Sequence, residues 1–181
     1  MLTRYTLVLD LDETLVHYQE ANNEGQINFR PYLDQFLHEM REYYDIIIFT
    51  ASMKEYADII LDHIDPGRKL IKKRYYREDT IAVDNEYNIK DLGILKTDLK
   101  KTLIVDNVPE NFLRHKENGI FIKSWYDDKN DTCLLELIPV LKDIVINEVE
   151  DVRVHLSNYR EKLIEHIKKG CLNPVIHLKY C

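Results

Sequence analysis

The chain has 181 residues, 45% of them hydrophobic and 31% charged, with only five glycines and five prolines. That length suits one compact domain with its own core, and the composition excludes a disordered chain or a linker-rich array. A formal charge of −7 argues against a dedicated nucleic-acid surface, because phosphate binding needs clustered lysine and arginine.

Tyr5 to Leu9 reads as a buried strand that runs straight into Asp10-Leu11-Asp12-Glu13-Thr14. Charge at a buried strand end needs a reason, and in open parallel sheets the crevice beyond the strand ends is where ligands sit. The stretch from His17 to Asn28 is polar and turns at Asn22-Asn23-Glu24-Gly25, so a short flap or hairpin is expected beside the first strand's end. Pro31 is expected to open a helix with Leu33, Phe36, Leu37 and Met40 on one face. Asp45 to Phe49 is a second strand ending in Thr50-Ala51-Ser52, followed by helical spacing from Met53 to His63 that Asp65-Pro66-Gly67 stops.

Residues Arg68 to Tyr87 are rich in Lys, Arg and Tyr, with the run Lys72-Lys73-Arg74-Tyr75-Tyr76-Arg77. This segment predicts an inserted set of short strands, over about residues 66–89, that grips a substrate. The plainer reading is a solvated edge strand protected by lysines. Lys90-Asp91-Leu92-Gly93 comes next, then a strand from Thr102 to Val105 ending in Asp106-Asn107. Pro109 opens a short helix, Gly119 to Ile122 is a fourth strand, and Leu134 to Val145 an amphipathic helix. From Glu148 to Lys169, helical steps predict a terminal helix docked on the core, giving a main domain over 1–147 and a helical extension over 148–181.

Cys133, Cys171 and Cys181 are an odd set without metal-site spacing, which points to a reducing compartment, and Cys133 among leucines reads as a buried structural thiol. No apolar run approaches a bilayer's thickness, and the first residues lack a basic-then-apolar leader pattern.

Three strands thus end at carboxylate, hydroxyl or amide groups, and a parallel sheet would gather Asp10, Asp12, Thr50, Asp106 and Asn107 at one edge although they are distant in sequence. Like charges meeting there call for a cation, and oxygen ligands favour a hard divalent ion such as Mg²⁺. With that charge balanced, Asp10 has the chemistry to attack a phosphate monoester and form an aspartyl phosphate. Asp12 would protonate the leaving alkoxide and later activate water. Thr50, the backbone N–H groups of Leu11 and Ala51, and Lys90 would hold the phosphoryl oxygens. The plainer readings are an Asp-capped turn for Asp10 to Glu13 and a solvated surface side chain for Lys90.

Asp10-Leu11-Asp12-Glu13-Thr14-Leu15, Phe49-Thr50-Ala51-Ser52, Lys90-Asp91-Leu92 and Ile104-Val105-Asp106-Asn107-x-Pro109 resemble, in order, the four motifs of haloacid dehalogenase superfamily phosphatases. More narrowly they look like the small C-terminal-domain phosphatase, dullard and NLI-interacting factor branch, the FCP1 homology domain, over about residues 4 to 146. Arg30-Pro31-Tyr32-Leu33, Tyr56-Ala57-Asp58, Tyr76-Arg77-Glu78 and Ser124-Trp125-Tyr126-Asp127-Asp128 support the likeness.

The resemblance implies an α/β, Rossmann-like fold and a Mg²⁺-dependent protein serine/threonine phosphatase, with phosphoserines of the RNA polymerase II tail or another phosphoprotein as substrate. It implies Asp10 as nucleophile and Asp12 as general acid/base, with Thr50 and Lys90 holding phosphate. The metal would be bound by Asp10, the Asp12 backbone carbonyl, Asp106 and Asn107, and Arg77 would serve substrate recognition. Val108 stands where the family commonly has Ser and Lys96 where Gly is common, departures that bear on substrate preference. A monomer, nuclear or cytoplasmic, that takes phosphoprotein or phosphopeptide substrates and binds no nucleic acid directly is the corresponding expectation. Two other readings remain: a non-catalytic import-translocase-like binding protein on the same scaffold, and a small-metabolite phosphatase, against which the absence of a large cap speaks.

Overall fold

A computed structural model describes residues 4–158, except 22, 23 and 85. The turn expected at Asn22-Asn23, Cys171 and Cys181, and the tail helix beyond residue 158 lie outside the described residues.

Five parallel strands form the main sheet in the order β5 (Ile71–Tyr75), β4 (Tyr44–Phe49), β1 (Tyr5–Leu9), β8 (Thr102–Asp106), β9 (Gly119–Phe121). Central β1 is in register with both neighbours, Leu9 opposite Ile48 on one side and Val105 on the other. The carboxyl ends of β4, β1 and β8 are therefore level, and the residues that follow them share one edge.

Alternation along the strands divides the core in two. Leu7, Leu9, Ile46, Ile48, Leu103 and Val105 join the apolar faces of α1 (Leu33–Tyr43), α2 (Lys54–Ile64) and α3 (Cys133–Ile146) in a large cluster. Val8, Ile47, Phe49 and Ile104 form a smaller one with Tyr75, Leu92, Leu95 and Phe112. That second face is covered by the 3-10 segments Leu92–Leu95 and Pro109–Asn118. Cys133 is buried in the large cluster, as its leucine neighbours require. Residues 152–158 are helical, and Val152 and Leu156 sink into the same cluster, docking the described part of the tail.

The expected flap is an antiparallel hairpin of β2 (Val16–Ala21) and β3 (Glu24–Phe29). Two expectations need correction. Pro31 does not open α1; it sits inside a tight turn closed by the Leu33 N–H on the Arg30 carbonyl (3.2 Å), with Tyr32 at φ 66, and the helix starts at Leu33. The basic run is not an inserted strand set, because buried Ile71 and Tyr75 dock β5 onto β4 as a strand of the main sheet. Lys72 and Lys73 are exposed on that edge strand, which is the plainer of the two readings. Of the expected insertion, the hairpin of β6 (Ile81–Val83) and β7 (Tyr87–Ile89) is the part that stands apart from the main sheet. Pro109 does open a short helical run, as expected, but that run is 3-10 and kinked, with Phe112 and His115 outside helical geometry.

Candidate active site

Asp10 leaves β1 with its N–H still paired to the Val105 carbonyl at 3.0 Å, which fixes its carboxylate at the sheet edge. Glu13 then adopts φ 56, a left-handed conformation unusual for a residue with a Cβ, and turns the chain back on itself. As a result the Thr14 hydroxyl donates to Asp10 Oδ2 at 2.8 Å and lies 3.3 Å from Asn107 Oδ1. The turn is braced from outside: the buried Arg30 guanidinium grips the Thr14 carbonyl (3.1 Å) and both Asp131 oxygens (2.8 and 2.9 Å).

Lys90 is fully buried, not solvated. Its N–H is anchored on the Asn111 carbonyl at 2.7 Å, and its ammonium donates to Asp10 Oδ1 and to Asp106 Oδ2, the latter at 2.6 Å. Asp106 Oδ1 accepts from the Val108 N–H (2.8 Å) and the Asn111 amide (3.1 Å). Asn107 points its carboxamide nitrogen at Ser124 Oγ (2.9 Å), leaving its oxygen toward Thr14.

Two buried carboxylates facing one ammonium carry a surplus negative charge. Burial first, and Asp106 second, push Asp10 up to about 7 against the opposing pull of Lys90 and Thr14. For Lys90, burial pulls the ammonium down, but Asp10 and Asp106 outweigh it and its pKa lies above the ordinary lysine value.

Asp12 turns away from this group. Its Oδ1 accepts the Tyr56 hydroxyl at 2.8 Å, and its Oδ2 the Ser52 hydroxyl at 2.6 Å with Thr50 Oγ1 at 3.4 Å. The two aspartates therefore do not crowd each other: one lies in the floor beside Lys90, the other at the rim against the β4–α2 turn. Neither the Leu11 nor the Ala51 N–H donates to an acceptor among the described residues, so both remain for a ligand. Arg77 is exposed at the mouth, tied to the Thr50–Ser52 turn by its Nε on the Ala51 carbonyl (2.6 Å) and its N–H on the Ser52 carbonyl (3.0 Å).

Among the described residues no three His, Cys, Asp or Glu side chains gather as a metal cage. The side-chain oxygens gathered here are those of the Asp10 and Asp106 carboxylates and the Asn107 carboxamide.

All the residues singled out from the sequence meet at this edge. Thr14, Ser52, Tyr56, Asn111 and Ser124 were not singled out as site residues, although all but Asn111 stand in stretches that carried the resemblance. Tyr56 carried a legible signal, since it opens the Tyr56-Ala57-Asp58 stretch in the first turn of α2 that supports the likeness. Asn111 carried none, because a kinked 3-10 run has no periodicity to read.

The family model of NLI interacting factor-like phosphatases matches residues 5–153. A Dictyostelium discoideum protein named "Probable C-terminal domain small phosphatase" is 46% identical over 171 residues, covering 86% of this chain and 55% of that protein. A Danio rerio "CTD nuclear envelope phosphatase 1B" is 35% identical over 178 residues, 85% of this chain and 71% of its own. The chain thus spans about half the length of the first relative. The solved structure of Fcp1, described as an essential RNA polymerase II CTD phosphatase, superposes with a TM-score of 0.66 at 19% identity, over 94% of this chain and 67% of that one, a likeness of fold. With a family model matched from the first strand to beyond α3, the chain belongs to the NLI interacting factor-like phosphatases.

Proposed function

We propose that this chain is a Mg²⁺-dependent protein serine/threonine phosphatase that works through an aspartyl phosphate on Asp10. The observation that carries the reading is the Asp10–Lys90–Asp106 group at the level ends of β1 and β8, with Asp12 held apart at the rim. A binding protein without chemistry has no use for two buried carboxylates and a buried ammonium, which cost several kcal/mol in desolvation.

In the first half-reaction an Asp10 oxygen bonds to phosphorus as the serine or threonine Oγ–P bond breaks, and Asp12 gives a proton to the departing oxygen. In the second, Asp12 takes a proton from water as the water oxygen bonds to phosphorus, and the Asp10 carboxylate and inorganic phosphate are released. Tyr56 and Ser52 keep Asp12 aimed at the mouth rather than at the floor. The Leu11 and Ala51 N–H groups, Thr50 and Lys90 stabilise the phosphoryl oxygens. Asp10, Asp106, Asn107 and the Asp12 carbonyl suit a hard divalent ion in charge and donor type, and Mg²⁺ bound there would neutralise the carboxylates and polarise the phosphoryl group.

Relatives named for the C-terminal domain of RNA polymerase II and for the nuclear envelope favour a phosphoprotein substrate and a nuclear or cytoplasmic site of action. No helix among the described residues is long and apolar enough to cross a membrane.

The test is turnover of an aryl phosphate and of phosphoserine peptides by wild type and Asp10→Asn. Wild type should act on both in Mg²⁺, stop on chelation and recover when Mg²⁺ is returned, while the variant should be inactive yet folded. Turnover by the variant would remove Asp10 as nucleophile, and full activity in chelator would remove the metal.

A further inference from the structure

Next to the mouth, between the β2–β3 hairpin and the loop after β9, lies a groove of about 390 Å³. Its hairpin wall presents Gln19, Gln26 and Asn28. Gln19 is the cross-strand partner of Gln26, and Asn28 that of His17, so all three carboxamides project from one hairpin face. The other face is engaged elsewhere, with Tyr18 edge-on to the Tyr56 ring at 6.1 Å.

The groove adjoins the candidate site through Trp125, which lines it: the Trp125 backbone N–H donates to the Glu13 carbonyl at 2.8 Å, and Ser124 just before it is bonded to Asn107. Trp125 and Phe29 supply apolar lining. Charge identifies the occupant: the lining holds one acid, Asp127, and one base, Lys129, so nothing there attracts a second phosphate. Carboxamides both donate and accept, and they match the alternating N–H and C=O groups of an extended backbone.

We propose that this groove is a subsite for an extended, uncharged segment of the phosphoprotein flanking the phosphorylated residue. The proposal rests on the phosphatase reading and deepens it: substrate length is sensed on the hairpin side, apart from the groups that hold phosphate.

The experiment compares wild type with Gln19→Ala/Gln26→Ala, both exposed polar positions, on an aryl phosphate, a phosphoserine peptide with one neutral residue on each side, and peptides extended by several neutral residues on either side. Two lost hydrogen bonds of about 1 kcal/mol or less each should lower kcat/KM roughly tenfold on a peptide extended in one direction, through KM. The aryl phosphate and the short peptide, which do not reach the groove, should change less than about twofold. Equal losses on every substrate, or none on the extended peptides, overturn the subsite while leaving the phosphatase standing. A wild type inert on all of them in Mg²⁺ overturns both.

Discussion

Replacing Lys90 with methionine keeps an aliphatic stem in the cavity but removes the ammonium that separates Asp10 from Asp106. Removing one partner of a buried ion pair costs about 3 to 5 kcal/mol. The two carboxylates left behind add to this: at an effective dielectric of about 20, like charges about 4 Å apart repel by about 4 kcal/mol. Proton uptake caps the sum, because Asp10 already stands at about 7 and without Lys90 moves higher. A folded-state pKa above the unfolded value means that ionising Asp10 opposes folding, so the deficit should be larger at pH 8 than at pH 6. For a domain of this size about 1 kcal/mol shifts Tm by roughly 2 to 4 °C, which gives a fall of about 6 to 20 °C. Thermal unfolding followed by circular dichroism in chelator reads this directly. Adding Mg²⁺ should return part of the loss, since a divalent ion neutralises the same carboxylates. A Lys90→Met protein within about 1 kcal/mol of wild type in chelator at pH 8 would refute the charge balance described for the site.

Tyr56→Phe removes the donor to Asp12 Oδ1, a hydrogen bond worth about 1.5 to 3 kcal/mol; kcat on an aryl phosphate should fall roughly tenfold or more with KM unchanged, and Tm should fall by about 3 to 12 °C. Gly119→Ala would set a Cβ 2.2 Å from the Phe112 ring, so chemical denaturation should find it about 1 to 3 kcal/mol less stable. His115, the Gly93 N–H and Arg114 lower Asp91 to about 2, so its ion pairs add stability above the unfolded carboxyl pKa and lose it as pH falls toward 2. Asp91→Asn should therefore lower stability at pH 7 by on the order of 1 kcal/mol, and the gap to wild type should close below about pH 4 in an acid melting series.

The sheet and the clustering of its strand ends were legible because the apolar runs Leu7 to Leu9, Ile46 to Phe49 and Leu103 to Val105 end abruptly in Asp10, Thr50 and Asp106. The basic run misled because Lys72 and Lys73 hide the pattern: only Ile71 and Tyr75, at its ends, are buried, so an edge strand resembles a charged insertion. Pro31 misled for a different reason, since proline suits the second position of a turn as well as the first of a helix. The direction of Asp12 was not legible at all. It depends on which way the chain turns at Glu13, and a left-handed glutamate leaves no mark in the residue type.

The uneven covering of the sheet has a consequence for inheritance of change. Lys90 and Asn111 hang from the thin layer of 3-10 segments, each beside a residue of its small apolar cluster, Phe112 after Asn111 and Leu92 two positions beyond Lys90. Drift in the helix-covered half has the bulk of three helices to absorb it. Drift in Leu92, Leu95 or Phe112 is transmitted along the backbone to the ammonium and the amide that hold Asp106. Natural variation should therefore be more tightly restricted on that back layer than its distance from any substrate would imply.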